Sequence, residues 1–376
     1  MDGRSLELPG HEPKNNHNNM AEILKNKAET NTAGGAFGSD KGYQNFIFRG
    51  KAGEYFGIWI VCILLSAVTF GVYSAWAKVR RNRYFYGNTI LAGHGFDYHA
   101  TGGQIFKGRL IVFFGVIFFG ILSELHPALA LINIIILMVL SPYFIARGLR
   151  FNARVTSYRN VRFDFTGTYG GAFLAFIVGP ILAALSLSIL APVASKWLRC
   201  YVLDNLRYGS KAFATSVATS MLYWAWLKCV FLSFACVVVM VIATAAVYYA
   251  EVPALYGVSH ILVVVGYIYF LTLFVVYKID VRNIVISATV FAEKHKMMSN
   301  MKARQYIWIT VSNILVTLLT LGFMRPWAAV RMAKYTCDHT AIRFVGDIEN
   351  LYRDIEQEGS AIGSEYIDFE GIDLGF

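Results

Sequence analysis

His94, Asp97 and His99 place two imidazoles and a carboxylate within six residues. Alternation along a strand would put Asp97 and His99 on one face, an arrangement from which two ligands can converge on a metal. A second copy of this segment has Asp164 in the place of Asp97 and no histidine beside it, which favours plain polar positions on the outer face of a hairpin. The five cysteines, Cys62, Cys200, Cys229, Cys236 and Cys337, form no CxxC and no metal-ligand spacing. The chain contains no glycine-rich phosphate loop, HExxH or GxSxG motif. No catalytic, metal-binding or cofactor-binding residue is therefore assigned.

A different chemistry is suggested by polar residues lying within apolar runs. Arg325 stands just past Leu321-Gly322-Phe323, far from the basic ends of its run, and a guanidinium at membrane depth can hold an anion or a lipid phosphate. The same residue could instead snorkel to a polar surface. Asn133 and Asn313 either line a path for a solute or bond one helix to the next. Lys78, Arg80, Arg83 and Tyr84 form one basic-aromatic helix end, Arg147 and Arg150 a second, Arg331, Lys334 and Tyr335 a third. Spacings of three and four set these charges on one helix face, as anchors for anionic lipid head groups require.

The elements that must position these residues are apolar helices. Of the 376 residues, 56% are hydrophobic and 15% charged, against roughly 25% charged in a soluble chain. The apolar residues fall in long runs over 55–77, 110–123, 127–146, 171–195, 222–250, 255–277 and 306–324, which excludes a soluble enzyme. Residues 46–346 hold 28 basic and nine acidic residues, whereas 347–376 hold one basic and nine acidic. The basic excess sits at the ends of the runs, so the positive-inside rule accounts for it without nucleic acid. Three regions follow: a polar disordered tail over 1–45, an integral membrane domain over 46–346 and an acidic tail over 347–376. The N-terminus shows no apolar stretch of the kind that marks a cleaved signal.

An internal repeat organises the membrane domain. A strand-like motif, aromatic-x-aromatic followed by Thr or Gly, begins at Phe46, Phe96 and Phe163, with a weaker copy at Phe213. Thr69-Phe70-Gly71 with Trp76-Ala77 matches Thr320-Leu321-Gly322 with Trp327-Ala328, and the same shift aligns Tyr55 with Tyr306 and Tyr84 with Tyr335. Each unit reads as a helical segment, a basic-aromatic helix end, and a hairpin such as Asn88–Thr101 turning at Gly93-His94-Gly95. Strand edges cannot face lipid, so the hairpins lie outside the bilayer, and their basic flanks place them in the cytoplasm. Residues 54–86, 169–203 and 303–336 are each too short for two full spans of about 20 residues. They are expected to be re-entrant pairs turning near Thr69-Phe70-Gly71, Ser186-Leu187-Ser188 and Thr320-Leu321-Gly322. Residues 104–150 and 220–280 are expected to be full transmembrane pairs, and both termini then lie in the cytoplasm.

The segments Gly50-x-x-Gly53-Glu54-Tyr55-Phe56, Thr69-Phe70-Gly71-Val72-Tyr73-x-x-Trp76-Ala77 and Asn205-Leu206-Arg207-Tyr208-Gly209 resemble the YjgN-like family of bacterial inner-membrane proteins, a domain of unknown function. The resemblance covers about residues 43–348 and implies a multi-pass protein of the bacterial cytoplasmic membrane. It supplies no activity and no catalytic residues. The expectation is an α-helical polytopic protein in which full spans alternate with short re-entrant pairs above cytoplasmic β-hairpins. Its expected partners are membrane lipids, with no nucleic acid and no cofactor. A channel or carrier for a small or lipidic solute is the leading function, a non-transporting scaffold or assembly factor the alternative, and a membrane-embedded enzyme the third.

Overall fold

The computed structural model describes residues 42–249, 256–346 and 349–355. Most of the expected N-terminal tail (1–41), most of the acidic C-terminal tail (347–348 and 356–376) and the turn around Glu251 lie outside the described residues. The chain starts with β1 (Tyr43–Asn45) and β2 (Ile47–Phe48), then α1 (Ala52–Val68), α2 (Ser74–Gly87), β3 (Thr89–Leu91) and β4 (His94–Tyr98). Two helices and a hairpin follow in the same order three more times. These are α3 (Gly102–Leu125), α4 (Pro127–Arg154), β5 (Thr156–Tyr158) and β6 (Val161–Phe165); α5 (Tyr169–Leu185), α6 (Ala191–Asp204), β7 (Leu206–Tyr208) and β8 (Lys211–Thr215); and α7 (Thr219–Tyr249), α8 (Tyr256–Ser287), β9 (Thr289–Phe291) and β10 (His295–Ser299). The chain continues with α9 (Ala303–Leu319), α10 (Arg325–Asp338) and β11 (Thr340–Arg343). Helix α5 carries one π-helical stretch over Leu174–Val178.

All the strands join one antiparallel sheet, in the order β1-β11-β10-β9-β8-β7-β6-β5-β4-β3-β2. The two ends of this order are successive stretches of one strand. Phe46 alone separates β1 from β2, and its amide donates to the Thr340 carbonyl at 3.0 Å. Residues 43–48 therefore pair with β11 on one side and β3 on the other, and the sheet closes into a barrel without a free edge. The hairpin turns are tight. Ala92 and Gly93 take φ 46° and 84°, and Arg159 and Asn160 take 47° and 65°, the left-handed pair that matches the twist of two antiparallel strands. The first turn is thus Ala92-Gly93, not Gly93-His94-Gly95. His94 opens β4 opposite Leu91, and Gly95 allows β4 to pass the Gly87 carbonyl, which a Cβ would meet at 2.8 Å.

The barrel is filled. Phe46, Phe96, Phe163 and Phe213 pack against its core, with Phe46 stacked on Phe96 and Phe96 on Phe163, each at 6.3 Å between centroids. Tyr208 donates its hydroxyl to the Tyr158 carbonyl (2.8 Å), and Tyr158 donates to that of Leu91 (2.6 Å). At the hairpin tips a helical segment over 349–355 enters the barrel, burying Tyr352 and Ile355. Arg159 secures it with an ion pair to Glu349 (2.9 Å) and a guanidinium 4.3 Å above the Tyr352 ring, which explains a non-glycine residue at a positive φ there. Burial pushes the Tyr158 and Tyr352 hydroxyls above the usual phenol range, so both remain protonated donors.

The helices stand on this barrel as a ring. Each packs against the helix before and after it, α10 packs against α1, and a small contact joins α6 to α8. Four helices, α3, α4, α7 and α8, are long and apolar enough to cross a membrane. At 24 residues the shortest of these, α3, reaches about 36 Å, against about 30 Å of hydrocarbon. Between and beside these long pairs stand α1–α2, α5–α6 and α9–α10. Truncation of Tyr352 to Ala opens a cavity in the barrel and should cost about 3 kcal/mol. The expected outcome is a clearly lowered melting temperature in detergent, with no loss of helical circular dichroism below the transition.

Candidate functional site at the junction of helices and barrel

The three short pairs share one turn. In each, two successive residues adopt positive φ: Phe70 and Gly71, Leu187 and Ser188, Leu321 and Gly322. The second residue's amide reaches back to the carbonyl of Ser66, Ala183 or Thr317, at 2.7 Å in all three. A hydroxyl just before the turn, on Thr69, Ser186 or Thr320, accepts from the amide four residues on at 3.0–3.1 Å. These orphan amides and carbonyls are satisfied internally, as a helix end in an apolar medium requires. The tips are apolar and bare, with Phe70 97% exposed, Leu187 87% and Leu321 90%. At the opposite end a tyrosine locks each pair to the residue preceding its first helix. Tyr84 donates to the Lys51 carbonyl (2.8 Å), Tyr201 to that of Thr168 (3.0 Å) and Tyr335 to that of Lys302 (2.9 Å).

The helix bases meet the strands through a second recurring set of bonds. Thr89, Thr156, Thr289 and Thr340, the first residues of β3, β5, β9 and β11, each donate to a helix carbonyl four residues earlier at 2.8 Å. Arg83 forks onto the Tyr98 and Ala100 carbonyls (3.3 and 3.2 Å), and Arg150 onto those of Phe165 and Gly167 (3.0 and 3.2 Å). Asn283 serves the corresponding carbonyl of Met301 at 2.8 Å. Arg83 and Arg150 thus support the hairpins as well as standing at the basic helix ends.

The other basic residues divide by environment. Lys78 and Arg80 are exposed between the head and the middle of α2, Lys334 is exposed near the base of α10, and exposed Arg147 bonds the Tyr143 hydroxyl at 3.0 Å. Arg331 turns between helices, donating to Ser312 (2.6 Å) and to the Asn313 side-chain oxygen (3.2 Å) and lying over Trp327. Asn313 donates in turn to the Ala328 carbonyl at 3.2 Å, bonding α9 to α10. Asn133 bonds α4 to α3 through the Phe119 carbonyl (3.0 Å) and Ser123 (2.8 Å), and its buried side-chain oxygen has no hydrogen-bond partner. Arg325 is exposed at the head of α10, directly after the Leu321-Gly322 turn.

Asp97, His99 and Arg83 line a shallow cleft of about 350 Å³ with Phe96 and Tyr98. His99 is engaged by the Ser157 hydroxyl at 2.7 Å and His94 by the Ala92 carbonyl at 3.1 Å. Among the described residues no three His, Cys, Asp or Glu side chains come together as a metal site would require. Two features escaped the sequence reading. Lys228 and Asp280 form an ion pair between α7 and α8, hidden because their 52-residue separation carries no motif. Arg282 donates to the Ser299 and Thr340 hydroxyls and so reaches over two strands from α8, and counting back seven residues from Thr289 would have singled it out.

These features define a membrane protein with four helices fit to span a bilayer, whose ring of helices stands on a closed β-barrel. The chain belongs to the family described as "Bacterial protein of unknown function (DUF898)", which it matches over residues 43–369. It is similar to the inner membrane protein YjgN of Salmonella typhimurium, at 24% identity over 83% of this chain and 91% of that one. Over 41% of this chain and 39% of theirs, the YjgN proteins of Escherichia coli K12 and O157:H7 are 34% and 35% identical. No solved structure matches the chain. Taken with the four long apolar helices, these likenesses make it an integral protein of the bacterial inner membrane.

Replacing Arg150 by Lys keeps the charge but loses the planar fork, leaving one buried strand-end carbonyl without its donor. The expected cost is about 1–3 kcal/mol, read as a lower melting temperature; an unchanged melting temperature would show that water replaces the missing bond.

Proposed function

We propose that this protein is a carrier for a lipidic solute, which it holds in a bowl formed by the helix ring and exchanges sideways with the bilayer. In this reading the hairpin barrel lies in the cytoplasm, the units are copies of one ancestral helix-pair and hairpin, and the short pairs are re-entrant. The observation that carries it is the alternation of pair lengths in a closed ring above a filled floor. Helix α2 is 14 residues, about 21 Å, and carries Lys78, Arg80 and Arg83 from its second turn onward, charges that belong at the head groups, so the pair reaches no further than about one leaflet. Across the other leaflet only the pairs α3–α4 and α7–α8 continue, and two separate pairs cannot enclose an aqueous lumen. Below, Tyr158, Tyr208, Phe291, Ile342, Tyr352 and Ile355 close the barrel axis. An acyl chain can enter such a bowl from the membrane, whereas water and ions meet no continuous polar route. Arg325, exposed near the tip of the last short pair, would contact the solute's charged group, whereas Asn133, buried between α3 and α4, holds those helices together. Lys78, Arg80, Arg147 and Lys334 would hold the ring at the level of anionic head groups.

The scaffold reading retains one observation in its favour, the docking of segment 349–355 in the barrel beside the acidic C-terminal residues. Reconstituted vesicles separate the readings. A fluorescent phospholipid analogue should change leaflet faster than in empty vesicles, while an entrapped water-soluble dye and potassium should stay inside. Leakage of dye or ion without lipid movement would make the protein a channel. Movement of neither would leave the scaffold.

A further inference from the structure

Of the described histidines only His295 is buried, at 4% exposure, on the inward face of β10. Its ring stands 5.9 Å from that of Phe291, its register partner on β9, and 5.5 Å from that of Phe344, which lies 6.1 Å from Tyr352. Nδ1 accepts the Val345 amide at 3.1 Å. An amide can only donate, so this nitrogen carries no proton and the ring is neutral, with its hydrogen on Nε2. Burial first, and then the Lys294 ammonium, hold the imidazole below its ordinary range, in agreement with that tautomer.

The bond lies where the chain leaves the sheet for the tip end of the barrel. Val345 follows β11 by two residues, Gly346 turns with φ 89°, and the helical segment that enters the barrel begins at Glu349. The seat of that segment is close-fitting, since a Cβ on Gly209 would meet the Ile355 Cγ2 methyl at 2.7 Å. Protonating His295 would set an N–H against the Val345 N–H and leave a charge among aromatic rings. The surrounding charges do not offset this. β9 carries none, and beyond it Lys211 of β8 is half-buried and positive. Arg343 of β11 is exposed beside Tyr43. In the segment Glu349 pairs with Arg159, Arg353 and Asp354 are exposed, and the Tyr352 phenol stays uncharged. Within its own hairpin Glu293, Lys294 and Lys296 are exposed.

We infer that His295 is a proton switch for the barrel plug: once protonated it lets go of the Val345 amide, and with it the segment 349–355 leaves the barrel. The switch is independent of what the helix ring carries. The docked ring binds a proton less readily than the released one. Docking is therefore at full strength above about pH 6.5 and weakens by up to about tenfold per pH unit below it.

The test is hydrogen–deuterium exchange of the full-length protein in detergent, read by mass spectrometry over residues 345–355. The pH is varied from about 8 to about 5.5, to either side of the ordinary imidazole value. After correction for the chemical exchange rate, wild-type protection should fall on acidification by up to about tenfold per pH unit, while the amides of α1 keep theirs. His295→Gln retains an acceptor for the Val345 amide and cannot be charged, so its protection should not respond to pH across this range. Lys294→Gln leaves the ring and its bond in place. Without that ammonium the docked ring takes a proton more readily, so the acid loss should shrink. Protection that stays constant in the wild type, or that falls equally in His295→Gln, would overturn the switch. Should His295→Gln fail to fold, Lys294→Gln decides, and an acid loss as large as that of the wild type would overturn it.

Discussion

An open β-sheet leaves a row of unpaired amides and carbonyls at each edge, and here both edges are satisfied by the two ends of one strand. Residues 43–48 pair through β1 with the last strand and through β2 with the third. The hairpins are made of strands of three to five residues, too short to stand alone in water. They hold because each is flanked by two others and the sequence of neighbours closes. Closure then fixes everything above it. Each helix pair begins and ends at the rim of the same barrel, so every pair must return to the side it left.

Return can be achieved in two ways, and the chain uses both. A pair of helices of 24 residues or more is long enough to cross a bilayer and come back, whereas helices of 14 to 17 residues are too short to span it. The short turn is built with the same bonds three times, through a hydroxyl and two left-handed residues, because a reversal among apolar side chains has to satisfy its own amides. The result is a ring of helices complete near the barrel, from which only the long pairs continue, with an aromatic plug below. The proposed carrier reading rests on that alternation.

Much of this was legible in the sequence because it is periodic. The aromatic-x-aromatic motif marked β4 and β6 and the barrel-facing phenylalanines, the Thr-Phe-Gly and Thr-Leu-Gly triplets marked two of the short turns, and run lengths separated the long pairs from the short ones. Closure of the barrel was not legible, since it depends on pairing between residues about 300 positions apart. The Ala92-Gly93 turn was misplaced by one position because two glycines flank His94 and either could supply a positive φ. The segment 349–355 was hidden within an acidic stretch, yet its Tyr352 and Ile355 complete the barrel core. Arg282 escaped notice because it looks like one more basic residue at a helix end, and only its bonds to two strands separate it from the anchors around it.

Closure itself is open to a direct measurement. Tyr43 and Arg343 are register partners across the seam, with the Arg343 guanidinium 5.9 Å from the Tyr43 ring. In a version lacking the native cysteines, Tyr43→Cys and Arg343→Cys together should form an intramolecular disulfide on mild oxidation in membranes, seen as a faster-migrating monomer on a non-reducing gel. A disulfide-linked dimer in its place, or no cross-link at all, would mean that the first strand does not return to the last within one chain, and the ring of helices built on that seam would not stand.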